Sequence, residues 1–405
     1  MKKFNKFLSV AVASAMVMAM AGCGNTDNGS AATGTNAATE SAAASDSAAS
    51  GSVFKIGGIG PTTGGAAVYG LAVQHGAEIA VEEINAAGGI NGYQVEFKFQ
   101  DDEADAEKSV NAYNALKDWG AQIIDGSTTS GACIAVTDKT KEDNMFQITP
   151  SGSAVECVQY DNNFRVCFSD PNQGLASAQY IGENGLAEKI AVIYDSSDVY
   201  SSGIYEKFVK EAENQPFEVV AAEAFTADNK TDFSVQLQKA KDAGADMVFL
   251  PIYYQESALI LTQAAAMGYA PKWFSCDGMD GILGGVDNFD VSLTEGVMLL
   301  TPFAADATDD LTQSFVTKYK EKYGDTPNQF AADSYDAIYV IKAAIEKSGV
   351  TPDMSVSDIC DGMKAAMTEI TVDGLTGNGM TWTADGEANK APKAVVIENG
   401  AYKAM

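Results

Sequence analysis

Strands alternating with helices in two successive runs predict an α/β protein built of two doubly wound parallel-sheet lobes. Short apolar segments recur between amphipathic ones from Val53 to Ser275, and the rhythm restarts after Asp170. The length agrees: about 350 residues of globular composition exceed what one simple core encloses.

The elements follow in order. An apolar strand, Val53–Ile59, meets the turn Gly60-Pro61-Thr62-Thr63-Gly64. A helix over about Tyr69–Ala87 places Val73, Ala77, Ala80, Val81 and Ile84 on one face, and Gly88-Gly89 stops it. Strand Gln94–Gln100 alternates polar and apolar residues. Helix Asp105–Asp118, strand Gln122–Ile124, a Ser/Thr-rich turn, helix Ala132–Asp143 and strand Phe146–Thr149 complete the first run. The second run reads helix Gln173–Glu183, strand Lys189–Tyr194, helix Gly203–Glu213, strand Glu218–Phe225 and helix Asp232–Ala243. Strand Met247–Pro251, helix Ser257–Met267 and strand Lys272–Ser275 close it. In such sheets a ligand sits at the carboxyl ends of the strands, so the polar turns there are where a site is expected.

The N-terminus predicts export. Lys2, Lys3 and Lys6 form a basic start, and Phe7–Met20 is apolar, uncharged and short for a membrane span. Met20-Ala21-Gly22-Cys23 resembles the lipobox of bacterial lipoproteins, which implies cleavage before Cys23 and lipid on Cys23. Residues 1–22 are then a lipoprotein signal peptide and 23–52 a lipidated cysteine with a disordered linker. From Gly24 to Ser52 the chain has no large apolar residue with which to offset ordering entropy. That tether would span about 30 Å.

The net charge of −29 becomes more negative once the three leader lysines are removed. It argues against nucleic acid and against lying on an anionic membrane, so contact with a membrane is expected through the lipid only. Five cysteines follow Cys23, and Cys157 and Cys167, bracketing a short turn-rich stretch, are the best candidates for a disulfide.

Catalysis has little support, and the chain is expected not to be an enzyme. His75, the only histidine, lies within the first helix. Gly58-Ile59-Gly60 lacks the third glycine of a dinucleotide loop, and there is no P-loop, no Gly-x-Ser-x-Gly elbow and no cluster at metal-ligand spacing. No cofactor and no metal are expected. A secreted enzyme using Cys133 or Cys276 as nucleophile is the competing class, and it would need an unusual base.

The turns carry a resemblance. Ile56-Gly57-Gly58-Ile59-Gly60-Pro61 with Tyr69-Gly70, Ile84 to Gly92, Thr129-Ser130-Gly131, Thr149 to Ser153, Phe164 to Pro171, Asp195 to Tyr200, Asp277-Gly278 and Phe330 to Asp336 occur in one order over more than half the chain. In that order they resemble the branched-chain amino-acid-binding protein family, the substrate-binding lipoproteins of ABC importers with the type I periplasmic-binding fold. The resemblance implies two lobes joined by a three-segment hinge: 53–170 plus 303–376, and 171–302 plus 377–405. It implies a free amino acid, branched-chain or otherwise apolar, bound between the lobes, permease subunits as partners, a monomer, and a place on the outer face of the cytoplasmic membrane, of Gram-positive type.

The residues support such a ligand on physical grounds. Thr129 and Ser130 precede one expected helix, and Ser151 and Ser153 precede another. Hydroxyls with free N–H groups at a helix start can hold a carboxylate, or the same side chains can simply cap the helices. Asp277 follows strand Lys272–Ser275, as an ammonium partner or a turn former. The resemblance makes Tyr200 and Tyr253 tyrosines that close over the ligand, Tyr69 and Phe330 walls of its side-chain pocket, and Glu256 an assistant or a first-turn acid. The chain departs from the family at Phe249-Leu250-Pro251-Ile252 and at Met279, where many relatives carry an aromatic residue. The alternative ligand class on the same fold is an amide, urea or an aromatic acid.

Overall fold

The computed structural model describes residues 51–405. The leader, Cys23 and all but the last residues of the tether lie outside the described part. The first sheet is built from β1 (Phe54–Gly60), α1 (Ala67–Ala86), β2 (Val95–Asp101), α2 (Ala106–Trp119), β3 (Ile123–Asp125), α3 (Ser130–Asp143), β4 (Phe146–Thr149) and β5 (Asn163–Arg165). Its strands are all parallel, in the order β2-β1-β3-β4-β5.

The chain then crosses over and repeats the plan with α4 (Asp170–Glu183), β6 (Lys189–Asp195), α5 (Val199–Ala212), β7 (Glu218–Phe225), α6 (Ser234–Asp242), β8 (Met247–Leu250), α7 (Tyr254–Ala266), β9 (Lys272–Ser275) and β10 (Met298–Thr301). Within the second sheet β7-β6-β8-β9-β10 has the same strand order as the first. α8 (Asp310–Tyr323), α9 (Gln329–Ser348) and α10 (Val356–Met367) return to the first sheet, where α9 packs on α1, β3 and β4. β11 (Lys393–Glu398) and β12 (Ala401–Ala404) finally join the second.

The second sheet is not wholly parallel. β11 runs antiparallel beside β10, and β12 pairs antiparallel with β11 at the sheet edge. The β11–β12 pairing has a local cause: Asn399 and Gly400 both have positive φ, 54° and 73°, the pairing that a two-residue hairpin turn requires. Other helices start and stop on their own chemistry. Asp105, Asp309, Asn328 and Ser355 each accept a backbone N–H at an N-cap. Gly120, Gly324 and Gly349 close helices in the left-handed conformation.

Three sequence expectations change. α4, α5 and α7 begin three to four residues earlier than their apolar periodicity indicates, because the first turns carry polar and cleft-facing residues. The segment after Ser153 is a single 3₁₀ turn, Val155–Val158, and not a helix. The Cys157–Cys167 disulfide is not formed; both thiols are buried and free. Cys157 packs beside Cys133 in a small cluster, and its Sγ approaches the Ser130 carbonyl at 3.7 Å. Cys167 instead lies near Arg165, Asp333 and Lys390. His75 is half-buried and stacked on Tyr323, ring centroids 3.7 Å apart, which is a packing role.

The crossovers between sheets are held by buried polar bonds. Asp336 accepts the N–H groups of Leu375 and Thr376 at 2.8 and 2.9 Å and the Thr376 hydroxyl. Lys390 pairs with Asp333, both buried, and donates to the Val166 carbonyl at 3.0 Å. Asp336→Ala would leave three donors unmatched in the interior. It is expected to lower the unfolding free energy by about 3 kcal/mol, read from urea denaturation.

Candidate functional site

All nine residues expected to bind a ligand line one small cavity, together with Thr128 and Gly278. They come from both sheets, and each follows the carboxyl end of a strand or the start of a helix. Tyr69 lies in the first turn of α1, Thr128 to Ser130 follow β3, and Ser151 and Ser153 follow β4. From the second sheet, Tyr200 opens α5 after β6, Tyr253 precedes α7 after β8, and Asp277 follows β9. Phe330 stands at the start of α9. In each sheet these turns flank the point where strand order reverses, which is where a doubly wound sheet leaves a crevice.

The first-sheet wall is a bed of hydroxyls. Thr129 holds the N-cap position of α3, yet its side chain makes no capping bond, and its buried Oγ1 has no protein partner. Helix capping therefore does not account for Thr129. Ser130 Oγ accepts the N–H groups of Ser153 and Ala154, both at 3.1 Å, leaving its own proton to be donated. Ser151 is spent differently: its hydroxyl donates to the Thr128 carbonyl at 2.6 Å. With no helix after Ser153, the helix field at this wall comes from α3 alone. The loop is rigid because the fully buried Arg165 guanidinium donates to the carbonyls of Gly152, Ser153 and Ala154.

The second-sheet wall is aromatic and acidic. Tyr200 and Tyr253 stack with centroids 5.1 Å apart, and Tyr69 meets Tyr253 edge-on at 5.5 Å and Phe330 at 4.5 Å. Tyr200 donates its hydroxyl to Asp277 Oδ1 at 2.7 Å and accepts the Gly278 N–H at 2.9 Å. That fixes the Asp277 carboxyl, which is 4% exposed. Gly278 has no alternative here, since a Cβ would lie 2.5 Å from the Tyr200 hydroxyl.

Burial dominates the electrostatics. It raises the Asp277 carboxyl to about 6, against the lowering effect of the Tyr200, Gln173 and Gly278 hydrogen bonds. Burial likewise pushes Asp170 well above the usual carboxylate range, with Asp277 acting in the same direction. Asp198 rises to about 6 for the same first cause. Asp277 is the one acid that lines the cavity, and the opposite wall offers hydroxyl donors, an arrangement that complements a small ligand with a cationic and an anionic end.

Two expectations resolve toward structure. Glu256 sits in the first turn of α7 and pairs with Lys230 at 3.0 Å, outside the cavity. Met279 is buried in the core and does not line the cavity. Thr128 went unnoticed in the sequence, although the run Ser127-Thr128-Thr129-Ser130 carries the signal that found its neighbours.

The chain as a whole is similar to known proteins. The family model for periplasmic binding proteins matches residues 53–401. A Leu/Ile/Val-binding protein homolog of Brucella melitensis is 31% identical over 300 residues, covering 74% of this chain and 80% of that one. The leucine-, isoleucine-, valine-, threonine-, and alanine-binding protein of Pseudomonas aeruginosa is 31% identical over 302 residues, covering 73% and 78%. Among solved structures, the branched-chain amino acid transporter substrate-binding protein LivJ of Streptococcus pneumoniae, in complex with isoleucine, superposes with a TM-score of 0.78. It is 28% identical and covers 87% of this chain and 99% of its own.

The raised Asp277 value fixes a pH signature. The unfolded chain releases this proton near about pH 3.9 and the folded protein near about 6, so between those values the folded state holds more protons. Stability contributed by this group therefore falls as pH rises through that window. Asp277→Asn is expected to raise the melting temperature of the unliganded protein above about pH 7 and to leave it unchanged near about pH 4. Calorimetric scans of both proteins across pH check it.

Proposed function

This chain belongs to the periplasmic binding protein family, and on that premise we propose that it is the amino-acid receptor of an ABC importer. The observation that carries the reading is one cavity with Asp277 on one wall and the hydroxyls of Thr129, Ser130 and Ser153 on the other. An α-amino acid matches it end to end. Its ammonium pairs with Asp277, while its carboxylate meets the hydroxyls and the N-terminus of α3. Its side chain packs among Tyr69, Tyr253 and Phe330 beside Thr128. The relatives' names support the branched-chain group as the ligand class. An aromatic acid, amide or urea would leave Asp277 without a cation, so the alternative class fits less well. The same complementarity supports binding without chemical change to the ligand.

The binding step is hinge closure. An amino acid that touches both walls binds the closed form better than the open one, and so shifts the population. The ligand's ammonium also draws Asp277 into its ionised form, turning a costly buried carboxyl into half of an ion pair. The closed form then engages permease subunits, with the protein acting as a monomer. Among the described residues no helix is long and apolar enough to cross a membrane. Met20-Ala21-Gly22-Cys23 supports a lipid anchor on Cys23 on the outer face of the cytoplasmic membrane of a Gram-positive-type cell, and the polar tether supports free reach to the permease. The lobe boundaries are 53–170 with 303–376 and 171–302 with 377–405.

Two outcomes test this. A panel of the twenty amino acids with urea and benzoate should give a thermal shift for aliphatic amino acids, equivalent to about 2.7 kcal/mol at a hundredfold excess over Kd. No shift from any amino acid overturns the reading. Asp277→Ala should abolish binding while the circular dichroism spectrum stays native; unchanged affinity by titration calorimetry contradicts it.

A further inference from the structure

The turn that carries Asp277 is gripped from across the cleft by residues that do not line the cavity. Gln329, the first residue of α9, donates its backbone N–H to Asp280 Oδ2 at 3.0 Å and its side-chain Nε2 to the Asp277 carbonyl at 3.1 Å. α9 packs against the first sheet, whereas residues 277–280 follow β9 of the second. Gln329 and Asp280 are 2% and 4% exposed, so these bonds form in the interior. The Asp280 carboxylate also faces the positive end of a 20-residue helix. Two more ties lie close by: the Tyr69 hydroxyl donates to the Gly278 carbonyl and accepts the Tyr254 N–H at 3.2 Å, both beyond the strands of the second sheet.

We propose that Gln329 and Asp280 are positioning residues that clasp the two lobes shut without touching the ligand. Their bonds exist only when the start of α9 meets the 277–280 turn, so they stabilise the closed form whatever occupies the cavity. They also set the Asp277 backbone in register with Phe330, the residue after Gln329. Because the apparent affinity scales with the fraction of molecules able to close, loosening the clasp weakens every ligand by the same factor. Residues that touch the ligand side chain would instead alter the ligands unequally.

The affinity arm rests on the amino-acid reading; a distance arm does not. Spin labels on Glu107→Cys of α2 and Glu183→Cys of α4, both exposed positions, report the separation of the lobes. Without ligand, Gln329→Ala and Asp280→Ala are expected to move the distance distribution toward the open form, with Asp280→Asn, which keeps the shape and removes the charge, moving it less. In calorimetry each Ala variant is expected to raise Kd about tenfold for every amino acid bound, with their rank order unchanged. Distributions identical to the parent in Asp280→Ala and Asp280→Asn, or losses confined to particular ligands, overturn the proposal. If an Ala variant fails to fold, Asp280→Asn decides. If no amino acid binds the parent, the functional reading fails while the distance measurement still settles the clasp.

Discussion

A carboxyl group withdrawn from water must find a cation, stay protonated or destabilise the fold, and Asp277 is withdrawn almost completely. Much of the surrounding architecture serves to keep it there. Tyr200 fixes one of its oxygens, Gln173 accepts its backbone N–H, and Gln329 holds its carbonyl from the other sheet. The buried cationic groups of Arg165 and Lys390 are committed elsewhere, to the Gly152–Ala154 carbonyls and to Asp333. On the proposed reading the missing countercharge is supplied by the ligand's ammonium, which would set an amino acid apart from a simple acid.

The opposite wall follows a complementary logic. A fixed cation there would attract any anion and would compete for Asp277. Hydroxyls and the start of α3 offer donors without a net charge, and they place those donors on a loop clamped by Arg165. Strength comes only when both walls meet the same molecule. The proposed reading ties binding energy to closure in this way, and the repeated strand order of the two sheets puts the polar turns at their strand-reversal points.

Much of this was legible in the residues. The strands Phe146–Thr149, Glu218–Phe225 and Lys272–Ser275 have the boundaries their apolar runs indicate. Met247–Leu250, buried on both faces, writes itself as the continuous apolar run Met-Val-Phe-Leu. Helix starts are harder to read. Tyr200 and Tyr254 keep the helical spacing to Ile204 and Ala258, but the polar residues beside them, Ser201-Ser202 and Gln255-Glu256, mask the first turns of α5 and α7. The site residues were visible because polar turns after apolar strands are local signals. The clasp was not, because Asp280 and Gln329 are 49 positions apart and look like an ordinary turn acid and an ordinary helix start. The Cys157–Cys167 pairing failed for a related reason: proximity in sequence says nothing about which way two thiols face.

The central claim is that ligand binding ionises Asp277. At a pH near its unliganded value of about 6, half of these carboxyls carry a proton that the incoming ammonium must displace. Titration calorimetry at that pH, in buffers of differing ionisation enthalpy, measures the proton directly. The account predicts release of about half a proton per amino acid bound, vanishing near about pH 8 and absent in Asp277→Asn if that variant still binds. An observed enthalpy independent of buffer at pH near about 6 would contradict it.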